Sequence, residues 1–173
     1  LVILVFLKNM LKIFLSILIF TFSSFNVFSQ WQFSNGPTGG SIFSLTKLGT
    51  NIYAGTARGV YYSTNDGLNW SKISINLYEA VGAIISQNNY MCAGTWGKGV
   101  YFSSDNGVNW AQSSLNSSKF NVIISGSNNT IFAGCNYTVK GFISGVYAST
   151  NNGVNWSLRG LINYGIYNLA LRD

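Results

Sequence analysis

The side chains that carry out most enzyme chemistry are scarce in this chain of 173 residues. It has no histidine and four acidic residues, Asp66, Glu79, Asp105 and Asp173. Without histidine, Ser-His-Asp and Cys-His catalysis, imidazole metal sites and the zinc-protease motif are excluded within these residues. One glutamate and three aspartates also leave few pairs for acid and base catalysis. The residue types therefore predict neither a metal nor a cofactor, and they favour a binding role.

The basic residues and the cysteines add little chemistry of their own. Ten lysines and arginines give a formal net charge of +6, and they are too scattered to form a phosphate-binding stripe, so nucleic acid is not predicted as a partner. Cys92 and Cys135 fall at different positions of neighbouring sequence repeats. That placement disfavours a disulfide between them.

Residues 1–29 are predicted to be a secretory signal peptide, with any residues before Met10 as upstream translation. After Met10 come one lysine, Lys12, an apolar run over Ile13–Phe22 and a more polar stretch up to Ser29. This layout predicts cleavage after Ser29 and a secreted or cell-surface protein. The alternative is a retained anchor, in which case the protein contacts a membrane only through this segment.

Three segments of the remaining chain repeat one another. They read IYAGTARGVYYSTNDGLNW from Ile52, MCAGTWGKGVYFSSDNGVNW from Met91 and IFAGCNYTVKGFISGVYASTNNGVNW from Ile131. Their closing tryptophans are spaced by 40 and 46 residues. Each unit holds short runs of β-branched and aromatic residues separated by Gly, Asn, Asp or Ser, which indicates strands. Four strands in about 40 residues are typical of a propeller blade, whereas a β-sandwich has no reason to repeat one octapeptide.

Each repeat ends in an octapeptide that suits a tight hairpin. Asp66-Gly67, Asn106-Gly107 and Asn152-Gly153 are pairs that tolerate positive φ at both central turn positions. The short polar residues before each pair are expected to bond turn amides, and the tryptophan after it is expected to pack on the next blade. The residues assigned this structural role are Ser63, Asn65, Gly67, Trp70, Ser103, Asp105, Gly107, Trp110, Ser149, Asn151, Gly153 and Trp156.

These octapeptides, STNDGLNW, SSDNGVNW and STNNGVNW, resemble the Asp-box, S-x-D-x-G-x-x-W, of the bacterial neuraminidase repeat (BNR) propellers. That group includes sialidases, sortilin-type receptors, xyloglucan-degrading hydrolases and a photosystem II assembly factor. The resemblance implies an all-β propeller of four-stranded blades at about 41–73, 81–113 and 121–158, with another blade starting at 164–173. This amounts to about three and a half blades of a ring of about six to eight.

A further tryptophan extends the series toward the N terminus. Trp31 precedes Trp70 by 39 residues and so matches the outer-strand tryptophans of the blades. Residues Trp31–Ser34 are therefore predicted to supply the outer strand of the last blade and to close the ring.

The resemblance also implies where a ligand binds. In these propellers the loop between the second and third strands of a blade opens on the ligand face, opposite the Asp-box turns. Those loops carry Arg58, Trp96 and Lys98, and the longest one carries Tyr137 and Lys140. A tryptophan beside a cation can stack on a sugar ring or a peptide side chain. The opposing interpretation is that Trp96 packs over a neighbouring blade and that the cations are solvated.

The catalytic sets of the family are not recognisable in this sequence. Sialidases resembling this fold use three arginines, a tyrosine backed by glutamate, and an aspartate, whereas this chain has three arginines in all and one glutamate. Xyloglucan-type hydrolases need two aspartates, but Asp66 and Asp105 lie in the octapeptides. We therefore expect an exported, non-catalytic binding or scaffold module for a protein or a glycan. The alternatives are the N-terminal part of a glycoside hydrolase with its catalytic residues beyond Asp173, and an assembly factor for a membrane complex.

Overall fold

The computed structural model describes residues 35–172, apart from Gly39, 74–78, 117 and 138–142. The predictions for the signal peptide, for Trp31–Ser34 and for Lys140 lie outside the described residues. Everything described from Asn35 onward belongs to one compact unit. Within this part of the chain no helix is long and apolar enough to span a membrane.

The described residues form twelve strands in three four-stranded antiparallel sheets and no helix, which confirms the predicted all-β propeller fold. Blade 1 has the strand order β1 (Ile42–Leu48), β2 (Asn51–Thr56), β3 (Gly59–Ser63) and β4 (Ser71–Lys72). Blade 2 has the order β5 (Val81–Gln87), β6 (Tyr90–Thr95), β7 (Val100–Ser103) and β8 (Ala111–Gln112). Blade 3 has the order β9 (Lys119–Ser125), β10 (Ile131–Tyr137), β11 (Gly145–Ser149) and β12 (Ser157–Gly160).

The first strand of each blade carries the same irregularity at the same register. Val81 pairs with Thr95 and Ala83 with Gly94, so Gly82 between them has no partner of its own. Blade 1 repeats this arrangement with Phe43 as the extra residue. A bulge of this kind bends the strand and redirects one side chain. The bulge therefore places a different residue of each repeat at the same point of its blade.

Neighbouring blades are held together by apolar seams, each with its own core. The seam between blades 1 and 2 buries Tyr53, Val60 and Ile73 of blade 1 together with residues of blade 2, among them Val81 and Met91. The residues buried in the seam between blades 2 and 3 are Ala83, Cys92, Val100, Leu115, Phe120, Ile123, Ile131, Ala133, Cys135 and Tyr147. Burial of these side chains is the main force that stabilises the stack of blades.

A glycine on the second strand of each blade lets the next blade approach closely. A Cβ added at Gly94 would lie 2.9 Å from the Cβ of Phe120, closer than such atoms normally come. Gly134 is in the same position in blade 3, and Ile166 fills the space beside it. The backbone N–H of Ile166 also donates to the carbonyl of Cys135 at 3.1 Å. Ile166 thus takes the place on blade 3 that Phe120 takes on blade 2.

The two cysteines both face the seam between blades 2 and 3, where each is buried and neither forms a disulfide. Burial raises the pKa of Cys92 to about 12. At neutral pH Cys92 is therefore a protonated thiol that packs as a small apolar side chain.

Candidate functional site

The Asp-box turn of blade 1 is a closed set of hydrogen bonds. The buried hydroxyl of Ser63 accepts the N–H of Gly67 at 2.9 Å and donates to the side-chain oxygen of Asn65 at 3.0 Å. That oxygen also accepts the N–H of Asn69 at 3.0 Å. The indole N–H of Trp70 donates to the carbonyl of Gly67 at 2.9 Å. Each of these polar groups is satisfied inside the turn itself.

The same bonds recur in blades 2 and 3. Ser103 and Ser149 accept the N–H of Gly107 at 2.9 Å and of Gly153 at 3.0 Å. The central residues of all three turns have positive φ, for example 59° at Asn106 and 80° at Gly107. The indole N–H groups of all three tryptophans donate within their own turns. The sequence analysis expected each tryptophan to pack on the next blade, but Trp110 and Trp156 pack against the seam with the preceding blade.

Asp105 makes the Asp-box of blade 2 different from the other two, which have asparagine at this position. Its carboxylate accepts the backbone N–H of Asn109 at 2.8 Å, the side-chain amide of Asn109 at 2.7 Å and the hydroxyl of Ser103 at 2.8 Å. These bonds favour the ionised form, the backbone bond from Asn109 most, and they lower the pKa of Asp105. Asp105 is therefore an ionised turn residue and not a proton donor.

The Asp-box turns of blades 2 and 3 each rest on the second strand of the preceding blade. The hydroxyl of Tyr53 donates to the carbonyl of Asn106 at 2.8 Å. One blade further on, the thiol of Cys92 lies 3.6 Å from the carbonyl of Asn152. These two Asp-box turns thus help to hold neighbouring blades together.

The opposite end of the blades carries an aromatic group beside a cation. The indole of Trp96 lies over Gly82, and its ring is 4.5 Å from that of Phe43 at an interplanar angle of 37°. The ammonium of Lys119 is 4.0 Å from the centroid of the Trp96 ring, which is cation–π geometry. We call Phe43, Trp96 and Lys119 the Trp96 cluster. Its three members come from three successive blades.

The Trp96 cluster remains open to solvent. Trp96 and Phe43 are each 38% exposed. The loop that carries Trp96 is fixed by hydrogen bonds, because the N–H of Trp96 donates to the carbonyl of Ala80 at 3.0 Å and the N–H of Lys98 donates to the hydroxyl of Thr95 at 2.9 Å. The loop is thus held in place, which lowers the entropy cost of binding to it.

The other loop residues singled out in the sequence have different outcomes. Arg58 and Lys98 are exposed at the same end of blades 1 and 2. Among the described residues, neither is joined to Trp96 by a ring contact or a hydrogen bond. Tyr137 is the last residue of β10, but its side chain is not described. Lys140 lies outside the described residues, so its place on the ligand face stays a prediction.

Sequence reasoning missed two members of the Trp96 cluster. It considered the loops between second and third strands, whereas Phe43 is the bulge residue of β1 and Lys119 begins β9. A signal was available in the repeat register, because Phe43 stands where blade 2 has Gly82. Where one copy has a large residue and the next has glycine, the glycine leaves room for a side chain from another loop to lie over it.

The carboxylates are separated by the fold. Among the described residues, Glu79 lies near the loop that carries Trp96, whereas Asp66 and Asp105 lie in Asp-box turns at the other end of their blades. Burial, and then the charge of Glu79, raise the pKa of Tyr101. No group of three metal-ligating side chains occurs in the described part of the chain. The described residues therefore offer one acidic group at the loop end and no carboxylate pair.

Comparisons with known proteins agree with this architecture. The family model for the BNR/Asp-box repeat matches residues 61–72, which span the first Asp-box turn. No curated protein matches the chain. Among solved structures, an ancestral GH74 enzyme is 21% identical with a TM-score of 0.62, and the match covers 75% of this chain and 20% of that one.

Two further structures have related folds. YCF48 bound to D1 peptide is 14% identical with a TM-score of 0.61, covering 76% of this chain and 43% of that one. A GH74 enzyme of Niastella koreensis is 19% identical with a TM-score of 0.51, covering 70% and 23%. The chain thus spans less than half the length of each of these structures. The chain thus has a β-propeller fold of four-stranded blades, and its first Asp-box turn matches the BNR/Asp-box repeat.

Proposed function

We propose that the chain is an exported, non-catalytic binding module that recognises a protein or a glycan through the loop end of its blades. The observation that carries the proposal is the Trp96 cluster, two half-open aromatic rings beside an ammonium group on a fixed loop. A few residues, often tryptophan, tyrosine or arginine, supply most of the binding energy in many interfaces. Of the similar folds, YCF48 has a structure with a peptide bound.

The division of labour between the two blade ends supports this proposal. At the Asp-box end, the Ser63, Asn65 and Trp70 side chains satisfy their polar groups within the turn. At the loop end, the ammonium of Lys119 lies 4.0 Å from the Trp96 ring, and Arg58 and Lys98 are exposed on the loops of blades 1 and 2. A positively charged rim around an apolar centre suits a ligand with an apolar anchor and an acidic or hydroxyl-rich flank.

The competing proposal is that these residues belong to a glycoside hydrolase, since two of the similar folds are GH74 enzymes. In that case the carboxylate pair comes from outside the described residues. If the chain is a binding module, the full-length protein is expected to turn over no glycan, with or without Glu79.

The test uses the full-length gene product, an array of peptides, and immobilised xyloglucan. Trp96→Ala is expected to weaken binding to the captured probe at least tenfold, which is about 1.4 kcal/mol. Leu68→Ala is the matched control, because Leu68 is an exposed apolar residue at the Asp-box end, and it is expected to leave binding unchanged. Equal affinity for Trp96→Ala and the unaltered protein would refute the proposal. Release of reducing sugar that is lost with a carboxylate substitution would favour the hydrolase.

A further inference from the structure

A cavity lies at the Asp-box end of the blades, away from the Trp96 cluster. It has a volume of about 390 Å³ and opens between the outer part of blade 1 and the Asp-box turn of blade 2. We call it the seam pocket. Its walls include Asn51, Tyr53, Tyr62, Ile73, Asn106 and Val108. This volume is within the range of small-molecule sites, about 300–1,000 Å³.

The seam pocket arises from a difference in residue size between two copies of the repeat. Tyr53 and Cys92 occupy the same position in successive blades, and each meets the Asp-box turn of the next blade. At the smaller residue the turn comes close, so that a Cβ on Gly153 would overlap the sulfur of Cys92. At the larger residue the turn rests on the tyrosine ring, and its carbonyl is held by the phenol at 2.8 Å. Tyr53 therefore acts as a spacer that holds this seam open.

The walls of the seam pocket combine flat rings with polar groups. Tyr53 and Tyr62 are stacked with ring centroids 6.3 Å apart and an interplanar angle of 27°. The described lining of the pocket also includes Asn51 and Asn106, which have amide side chains, and Lys72, which has a cationic one. No carboxylate is among the described lining residues. The surface therefore favours a ligand that has a planar apolar ring and a negatively charged group able to accept hydrogen bonds.

We propose that the seam pocket binds a small aromatic carboxylate. The ring of the ligand stacks on Tyr62 and contacts Ile73 and Val108. Its carboxylate accepts hydrogen bonds from the amides of Asn51 and Asn106, with Lys72 adding charge attraction. This site is independent of the ligand proposed for the Trp96 cluster, because the two lie at opposite ends of the blades.

The experiment is saturation-transfer NMR on the full-length protein with 4-hydroxybenzoate as the probe, at millimolar concentration. Binding is expected, and Tyr62→Ala is expected to raise the dissociation constant at least tenfold. The matched control is Phe102→Ala, which removes a ring at the equivalent strand position in the next seam and is expected to leave the dissociation constant unchanged. Thermal unfolding of each variant verifies that it is folded.

A second variant tests the spacer directly. Tyr53→Cys copies the residue of the next seam into this one, and it is expected to abolish binding of 4-hydroxybenzoate because the Asp-box turn closes onto blade 1. Three results would overturn the proposal: no transfer to the probe, equal binding by Tyr62→Ala and the unaltered protein, or binding of neutral 4-hydroxybenzyl alcohol as tight as that of the carboxylate.

Discussion

One position of the repeat is buried where another blade packs against it and exposed to solvent where none does. Val81 and Phe120 open blades 2 and 3 and are 0% exposed, and Ile166, which packs against blade 3 as Phe120 packs against blade 2, is 6% exposed. Ile42, which opens blade 1, is 48% exposed. The residue type is apolar in all four copies. Burial of this position is therefore set by contact between blades and not by the sequence of the blade itself.

A second position, three residues further along the first strand, shows the same difference in exposure. Ile84 and Ile123 are 3% and 4% exposed, whereas Leu45 of blade 1 is 60% exposed. In a repeat protein each unit covers the apolar face of its neighbour, so a unit without a neighbour leaves that face exposed to solvent. The outer face of blade 1 therefore has apolar residues of the kind found in a seam, but no blade among the described residues covers it.

The edge of blade 1 also carries a backbone contact typical of a seam. Within the molecule, the N–H of Ser114, just after the outer strand of blade 2, donates to the carbonyl of Val154 in the next Asp-box turn at 3.0 Å. The N–H of Asn35 donates to the carbonyl of Leu68 at 3.1 Å in the same way. This likeness supports the expectation that Trp31–Ser34 completes a neighbouring blade, which stays a prediction.

The largest expected effect tests whether the seams, and not the blades alone, hold the fold. Phe120→Ala removes a fully buried ring from the seam between blades 2 and 3 and is expected to cost about 3–5 kcal/mol of unfolding free energy. Ile42→Ala, at the equivalent exposed position, is expected to cost less than about 1 kcal/mol. Denaturant unfolding measures both. Comparable losses for the two variants would mean that the outer face of blade 1 is covered by another part of the protein.

A smaller effect is expected from a single methyl group in a seam. Gly94→Ala places a Cβ 2.9 Å from the Cβ of Phe120 and forces the blades apart, so a loss of about 1–3 kcal/mol is expected. Gly160→Ala is the matched control, because nothing lies within 4 Å of its added Cβ. It is expected to change stability by less than about 0.5 kcal/mol. The idea that glycine sets the distance between blades fails if both variants unfold at the same denaturant concentration.

The repeat made the blades and their turns predictable, because every feature inside one blade is local. The pairs such as Asn106-Gly107 have the positive φ that their residue types favour. The contacts between blades were harder to predict. Phe43 and Lys119 lie 53 and 23 residues from Trp96 along the chain, and spacing does not say which side chains meet across a seam. The seam pocket depends on a size difference between Tyr53 and Cys92 that only packing converts into a cavity.

The smallest expected effect distinguishes the Asp-box of blade 2 from those of blades 1 and 3. Asp105→Asn gives the second turn the residue that the first and third already have, so the variant is expected to fold with a modest loss of stability at pH 7. The pKa of Asp105 is lowered from its ordinary value of 3.8. A lowered pKa means that the ionised form stabilises the fold above the ordinary value, and that this stability is lost as the pH falls through the folded-state pKa.

The difference in unfolding free energy between the unaltered protein and Asp105→Asn is therefore expected to be largest at neutral pH and to shrink below about pH 4. Denaturant unfolding at pH 7, 5 and 3 measures it, with Asn65→Asp as the reverse substitution. That variant is expected to add acid sensitivity to blade 1, because the new carboxylate would accept the N–H of Asn69 as Asp105 accepts that of Asn109. A pH-independent difference for both variants would show that the carboxylate acts only through its shape, as the asparagines do.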